Sequence, residues 1–405
     1  MTAVGIVSAF GSASLRELLA AGRERGLSFV CLAEPADPPE AVTAAEALGE
    51  VLRSADGGGA EAAVLLRERS VQAVLTFCDA GLATAAELCA ALGLPGIAPS
   101  AACRVRSKHL QRAALNAAGV GAVAIAPIPD PSLAPPPSAI PYPAVLKPED
   151  GAGGAATMRV DSHAELLRAL SGVGERPMVL EAMVAPSAHP AGEWLADYVS
   201  VDSVVASGAI SHFGVVDRLP PAAPFRETGA VFPSLLPAAH QRAILAVVED
   251  AVRALELDHA VLHTELRLNE ESAIVIEVNA RLGGYMNAGW TRAGAGSPLG
   301  AAFDVALGLD PTPPGVATRP VLLHNVHAPM GARRLIGAPT AAQLRRLPGV
   351  WSAECFRGAG DDLDWRRGWY GRICDVWLEA EDAVELRERY EALTAVLAEA
   401  LTFEA

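Results

Sequence analysis

The sequence predicts a mixed α/β and α+β protein built from several units, and three observations carry that prediction. The first hundred residues alternate apolar runs with helical stretches, as a parallel sheet with crossover helices does. A strand, glycine-rich loop, strand, helix, strand order follows, which describes a small α+β unit. The later chain carries strands of alternating polarity joined by short turns, the pattern of antiparallel hairpins. At 405 residues the chain is long enough for two or three domains and a large core.

Taken in order, Val4–Ala9 is a strand, and Gly11-Ser12 leads into a helix over Leu15–Arg25. Gly11 belongs to no GxGxxG, so a tight turn is a simpler reading than a phosphate cradle. Ser28–Leu32 is the second strand, and Ala41–Arg53 is a helix broken by Asp56-Gly57-Gly58-Gly59. Val71–Phe77 is the third strand, Ala83–Leu92 a helix, and Leu94-Pro95-Gly96-Ile97 ends the unit. Six prolines in Asp130–Pro143 mark a surface connection. A strand ending at Lys147, a glycine-rich turn, a strand over Ala156–Val160 and a helix over Ser162–Leu170 come next. Ser162 with Glu165 reads as a capping box. Met178–Val184 completes this lid-like unit. Tyr198–Val205 and Ala209–Val216 form a hairpin through Ala206-Ser207-Gly208, and Ala239–Leu255 is an amphipathic helix. Pro311–Pro314 marks a boundary, beyond which Val321–Val326 and Ile373–Leu378 are strands and Ala383–Leu401 a helix. The expected units are 1–103, 104–185, 186–310 and 311–405.

Composition narrows the partners. A net charge of −15, with no basic run beyond two residues, disfavours nucleic acid and anionic membranes. No stretch of about twenty residues is apolar enough to span a bilayer. The N-terminus lacks a basic signal-peptide region, and the six cysteines lack metal-type spacing. These features lead to the expectation of a cytoplasmic protein with small buried cysteines. Of 32 basic residues only Lys108 and Lys147 are lysines. A chain that otherwise uses arginine keeps lysine where a compact ammonium is needed, as at phosphate oxygens.

The strongest chemical signal is Leu262-His263-Thr264-Glu265-Leu266-Arg267-Leu268, a short turn, and Ile274-Val275-Ile276-Glu277-Val278-Asn279-Ala280-Arg281. Polar residues alternate with apolar ones, so His263, Glu265 and Arg267 share one face, and Glu277, Asn279 and Arg281 share one. A three-residue loop over 270–272 would set Glu265 opposite Glu277; a one-residue slip would separate them. Two glutamates about 5 Å apart repel unless a dication lies between them. Carboxylates and an amide oxygen suit Mg²⁺ shared with phosphates. The alternative is a solvent-facing pair with Arg267 and Arg281 as salt-bridge partners. Gly283-Gly284 favours close approach of a ligand.

The order Lys108, Leu146-Lys147-Pro148, a glycine loop, Val179-Leu180-Glu181-Ala182-Met183-Val184, His263-x-Glu265-x-Arg267 and Glu277-x-Asn279-x-Arg281-x-Gly283-Gly284 resembles the ATP-grasp superfamily of carboxylate–amine ligases. Asp197-Tyr198-Val199-Ser200-Val201-Asp202 and Phe225-Arg226-Glu227-Thr228-Gly229 are most similar to bacterial L-amino acid ligases, which form dipeptides. The resemblance implies an ATP-grasp fold with an N-terminal Rossmann-like α/β domain, a small lid and a C-terminal antiparallel sheet domain. It implies ATP and Mg²⁺, or Mn²⁺, as cofactors. Lys108, Lys147, Gly151, Gly153 and Gly154 would hold the phosphates, and Glu181, Met183 and Val184 the adenine. Glu265, Glu277 and Asn279 would bind the metal, with Arg281 and Lys147 acting in catalysis. Glu227, Arg226, Gly283, Gly284 and Tyr285 would receive the first amino acid. Departures from the family pattern are Asp197-Tyr198 where a glutamate is common, Ala182 after Glu181, and a short glycine loop. The partners implied are small amino acids or amines; a homodimer is one option for assembly. The alternatives are a biotin carboxylase-like or purine-pathway enzyme, and a non-catalytic ATP-binding regulator.

Overall fold

A computed structural model describes the chain except at residues 9–10, 35–36, 54–58, 137, 152–153, 155 and 271. The N-terminal unit alternates as the hydrophobic pattern dictates: β1 (Thr2–Val7), α1 (Leu15–Arg25), β2 (Leu27–Ala33), α2 (Pro39–Leu48), β3 (Glu50–Arg53), α3 (Ala60–Glu68), β4 (Ala73–Thr76) and α4 (Leu82–Leu92). The strands pair in parallel in the order β3-β2-β1-β4. Helix α1 begins with a full capping box, Ser14 with Glu17. The helix expected over Ala41–Arg53 ends instead at Leu48, and Glu50–Arg53 is a strand. Gly49 is the reason: a Cβ there would lie 2.1 Å from the Phe29 carbonyl oxygen, so only glycine lets the chain turn onto β2. The break expected at 56–59 falls mostly outside the described residues.

Helices α5 (Pro99–Arg106) and α6 (Lys108–Ala117) follow, so a division at 103 cuts through α5. Ser107 caps α6, accepting from the Leu110 N–H at 3.0 Å. The lid contains β5 (Ile125–Ile128), β6 (Ala144–Pro148), β7 (Met158–Val160), α7 (His163–Leu170) and β8 (Met178–Ala182), in the sheet order β5-β8-β6-β7. Its own core includes Ile128, Leu146, Leu166, Leu170 and Leu180. Ser162 caps α7 as expected, accepting from the Glu165 N–H, but the Glu165 carboxylate turns back to the Asp161 N–H at 2.8 Å, which leaves the box half made.

The central sheet gathers β9 (Tyr198–Ala206), β10 (Ala209–Arg218), β11 (Gly229–Phe232), β12 (Ala260–Leu268) and β13 (Ala273–Asn279). Helix α8 (Ala238–Ala254) lies between β11 and β12 in sequence, and α9 (Met286–Ala293) and α10 (Pro298–Ala306) follow β13. Strand β14 (Val321–Val326) and the strands Cys374–Glu379 and Val350–Cys355 continue the same sheet, in the order β13-β12-β9-β10-β11-β14 and then those two. These three strands beyond residue 310 therefore extend the central sheet, while Arg334–Gly337 and Thr402–Glu404 pair with each other in a separate two-stranded sheet. Strand β9 is buried on both faces: Val201 and Val205 pack with Ile244 and Val248 of α8, and Val204 packs with Trp290 of α9. Phe303 of α10 meets Phe29 and Phe77, joining the N-terminal unit to this core. Cys31, Cys89 and Cys374 are buried as expected, whereas Cys103 is exposed. Among the described residues no helix is long and apolar enough to cross a membrane.

Candidate active site

Strands β12 and β13 set Glu265 directly opposite Glu277. The register arises by two offsets that cancel. The turn spans four residues, 269–272, with the Asn269 N–H donating to the Ser272 carbonyl at 3.1 Å. It pairs Leu268 with Ala273 and Leu266 with Val275; a bulge at Ile276 then returns Glu277 to Glu265.

A cavity of about 290 Å³ lies between this strand pair and the lid. Lys108 from α6 reaches the Glu277 carboxylate at 2.8 Å and donates to the Gly151 carbonyl at 2.8 Å. Desolvation opposes the charge on Lys108, but Glu277, Asp79 and Asp150 outweigh it and hold the ammonium pKa above its usual value. On the lid side, Glu181 takes two cations, Lys147 at 2.5 Å and Arg112 at 2.5 Å. Burial alone would raise the Glu181 pKa; these two partners lower it. Arg267 pairs with Asp197 at 2.5 Å, and Arg281 with Asp79 at 2.8 Å. Neither arginine is the salt-bridge partner of the two glutamates that a plain exposed hairpin would require.

Glu265 differs from the other carboxylates in the cavity. Among the described residues its ion-pair partner is the His263 ring, whose Nε2 lies 3.9 Å away. Burial, then the charges of Glu227 and Glu277, push its carboxyl pKa up, with His263 opposing. His263 is turned by Asp202, whose Oδ1 lies 2.7 Å from Nδ1, and Asp202 also accepts from the Trp290 indole at 2.6 Å. A Cβ on Gly283 would lie 2.8 Å from that histidine ring, so the glycine is what allows the loop to pass.

A divalent cation fits here. Among the described residues no three His, Cys, Asp or Glu side chains converge on one point. Glu265, Glu277 and the amide of Asn279 are hard oxygen donors that leave positions for water and phosphate, as Mg²⁺ requires. Burial first, and then the repulsion from Glu227 and Glu277, raise the Glu265 carboxyl pKa, and a dication would relieve the repulsive part. Asn279 stands opposite His263 and donates to its carbonyl at 3.3 Å.

Residues 140–288 match the ATP-grasp domain family. The chain carries an ATP-grasp domain. It is 32% identical over 292 residues to carnosine synthase 1 of Gallus gallus, covering 62% of this chain and 29% of that one. It is 28% identical over 240 residues to the alanine–anticapsin ligase of Bacillus subtilis, covering 53% of this chain and 49% of that one. The chain thus spans half or less of the length of these curated relatives. Over its whole length the fold is similar to an L-amino acid ligase from Bacillus licheniformis, with a TM-score of 0.79, 18% identity, and 100% and 99% of the two chains covered. A carboxyaminoimidazole ribonucleotide synthase from Aspergillus clavatus, solved with ATP, gives 0.73 at 16% identity, covering 98% and 99%.

Within the ATP-grasp domain, Lys147, Gly151, Gly154, Glu181, Met183 and Val184 line the cavity, as do Lys108, Glu227, Glu265 and Glu277. Gly153 lies outside the described residues. Arg281 does not line the cavity; it pairs with Asp79, and its guanidinium feels the charges of Glu277 and Glu265. Tyr285 donates to Glu227 at 2.9 Å. Arg226 does not reach the cavity: its guanidinium donates to the carbonyls of Ala223 and Ala328, on the far side of its turn, which corrects its expected place beside Glu227. Gly283 and Gly284 lie outside the cavity wall; Gly283 packs on His263.

Three residues not expected from the sequence belong to this neighbourhood. Arg218, fully buried, pairs with Glu227 at 2.5 Å between the rings of Tyr198 and Tyr285. Burial opposes the Glu227 charge, but Arg218, His263 and Tyr285 hold its pKa below the usual range. Asp79 binds Arg281, and Arg112 binds Glu181. Their only signals were local: Asp79 three residues beyond the parallel strand β4, and Arg112 four residues after Lys108 on one helix.

Proposed function

We propose that this chain is an ATP-dependent ligase that joins an amino acid carboxylate to an amine, a second amino acid, through an acyl phosphate. The observation that carries the reading is the cavity in which Glu265 and Glu277 face each other beside Lys108, with the Lys147–Glu181–Arg112 cluster on the opposite wall. The names of the relatives, a carnosine synthase and an alanine–anticapsin ligase, support the same class.

In this reading Glu181, Met183 and Val184 hold the adenine, and Lys108, Lys147, Gly151 and Gly154 hold the phosphates. The substrate carboxylate oxygen attacks the γ-phosphorus, and the bond to the β-phosphate oxygen breaks, releasing ADP. The amine nitrogen then attacks the acyl carbon, phosphate leaves with the bonding electrons, and the nitrogen loses a proton. Bound between Glu265, Glu277 and Asn279, Mg²⁺ or Mn²⁺ would neutralise phosphoryl oxygens. Lys147 and Arg281 supply fixed positive charge at the same oxygens, so positioning and electrostatics do most of the work. Glu227, oriented by Arg218 and Tyr285, faces the ammonium of the first amino acid. The lid excludes water, which would otherwise hydrolyse the acyl phosphate.

The test is ADP and phosphate release with Mg²⁺-ATP across amino acids, singly and in pairs, with product masses. Release that needs a pair, with a product equal to the two minus water, supports the ligase. Cleavage only with bicarbonate or formate moves the assignment to a purine-type reaction. Tight ATP binding with no turnover moves it to a regulator.

A further inference from the structure

Strand β13 is the outer strand of the central sheet, so one row of its backbone N–H and C=O groups has no strand partner. Helix α6 lies along that row. The Gln111 Oε1 accepts from the Val278 N–H at 2.8 Å, and its Nε2 donates to the carbonyls of Val278 and Val105, both at 2.9 Å. One amide thus treats Val278 as a neighbouring strand would. The next residue, Arg112, donates through Nη2 to the carbonyls of Val275 at 2.6 Å and Ile276 at 3.2 Å. Lys108, on the same helix face at i−3 and i−4, pairs with Glu277. Three side chains of one helix therefore address four consecutive residues, 275–278.

These contacts fall on the bulge. Continuing the pairing of Leu266 with Val275 would bring Ile276 opposite Glu265 and turn Glu277 to the other face. The extra residue prevents this, but a bulge leaves carbonyls that the ladder does not satisfy. Arg112 takes both. Its Nε meanwhile holds Glu181, and its Nη1 is buried with no protein partner while the residue lines the cavity.

We propose that Gln111 and Arg112 are positioning residues that lock the bulge in β13, and that Arg112 ties this lock to the nucleotide pocket through Glu181. The lock keeps Glu277 opposite Glu265 before any ligand arrives. The link to nucleotide and metal rests on the ATP-grasp reading of the cavity; the lock itself does not.

The experiment compares wild type, Gln111→Met and Arg112→Lys. Methionine keeps the bulk of glutamine without its hydrogen bonds, and lysine cannot span both carbonyls and Glu181. Hydrogen exchange of the segment 273–280, without ligand, is expected to quicken by about tenfold or more in both variants, with the inner strand 198–206 unchanged as a control for general loosening. Calorimetry of ADP binding with and without Mg²⁺ adds the second readout. Gln111→Met is expected to cut the Mg²⁺ enhancement of ADP affinity by about tenfold while leaving metal-free ADP binding alone; Arg112→Lys lowers both. Unchanged exchange in 273–280 overturns the lock. A full Mg²⁺ enhancement in both variants overturns its role at the metal. Wild-type protein that binds no ADP overturns the nucleotide reading, and the exchange comparison still decides the lock.

Discussion

Glu265 and Glu277 stand opposite each other on β12 and β13, and Glu277 alone of the two has a lysine partner, Lys108 at 2.8 Å. Facing carboxylates cost the fold rather than support it. Glu265→Gln removes the like-charge contact, so ligand-free stability is expected to hold or rise by up to about 1 kcal/mol. Turnover with Mg²⁺-ATP is expected to fall by about 100-fold or more. Thermal melts and steady-state rates on the same preparation check both halves, and a variant that melts lower yet turns over normally would remove the metal assignment.

Lys147 and Arg112 together place two cations on the single carboxylate Glu181, leaving this wall with net positive charge for a polyphosphate. Lys147→Ala is expected to raise the ATP KM and lower kcat by about 100-fold or more, since it removes charge felt most strongly as the phosphoryl group moves. Melting is expected to change little, because Arg112 still neutralises Glu181. Near-normal kinetics in this variant would take Lys147 out of the phosphate site.

The site was legible in the sequence where function is written along a strand. Alternating polarity announced that Glu265 and Glu277 share a surface, and the pairing holds. The route to it was hidden, because a bulge at Ile276 has no sequence mark and compensates a turn one residue longer than expected. Arg226 misled because adjacency to Glu227 in a turn sends the two side chains opposite ways. Arg218 was silent because a fully buried arginine has the same letter as an exposed one; only the converging rings of Tyr198 and Tyr285 reveal it. In the fold, β5 was missed since Pro127 reads as a breaker, yet β5 is an edge strand and an edge tolerates proline. The N-terminal strand β3 was missed because good helix formers precede Gly49, and only the contact of Gly49 with Phe29 shows where the helix must stop.

Arg281 is held by a residue 202 positions away, with Asp79 accepting from Nε at 3.0 and 3.1 Å and from Nη2 at 2.8 Å. A guanidinium gripped at two points is oriented as well as charged. Asp79→Asn keeps the shape and loses the charge-assisted grip. It is expected to lower kcat by about 10-fold to 100-fold with the ATP KM near wild type. Trapping the acyl phosphate with hydroxylamine should show the same loss. Normal hydroxamate formation alongside lost amide product would mean that Asp79 serves the incoming amine instead.

His324 and His327 lie beneath the Glu227 turn, on the backbone carbonyls of Thr228 at 3.1 Å and Glu227 at 2.8 Å. Burial keeps both rings neutral and pushes each pKa down to about 4 from 6.5. Between those values the unfolded chain binds more protons than the folded one. Stability is therefore full above pH 6.5 and falls as pH drops toward about 4, by at most about 1.4 kcal/mol per pH unit for each histidine. His327→Gln keeps a donor for the Glu227 carbonyl and removes one titrating ring, so its stability should fall less steeply over the same window. Urea midpoints at intervals across that range measure the slope. Equal slopes in wild type and a His324→Gln/His327→Gln double variant would place the acid sensitivity elsewhere in the fold.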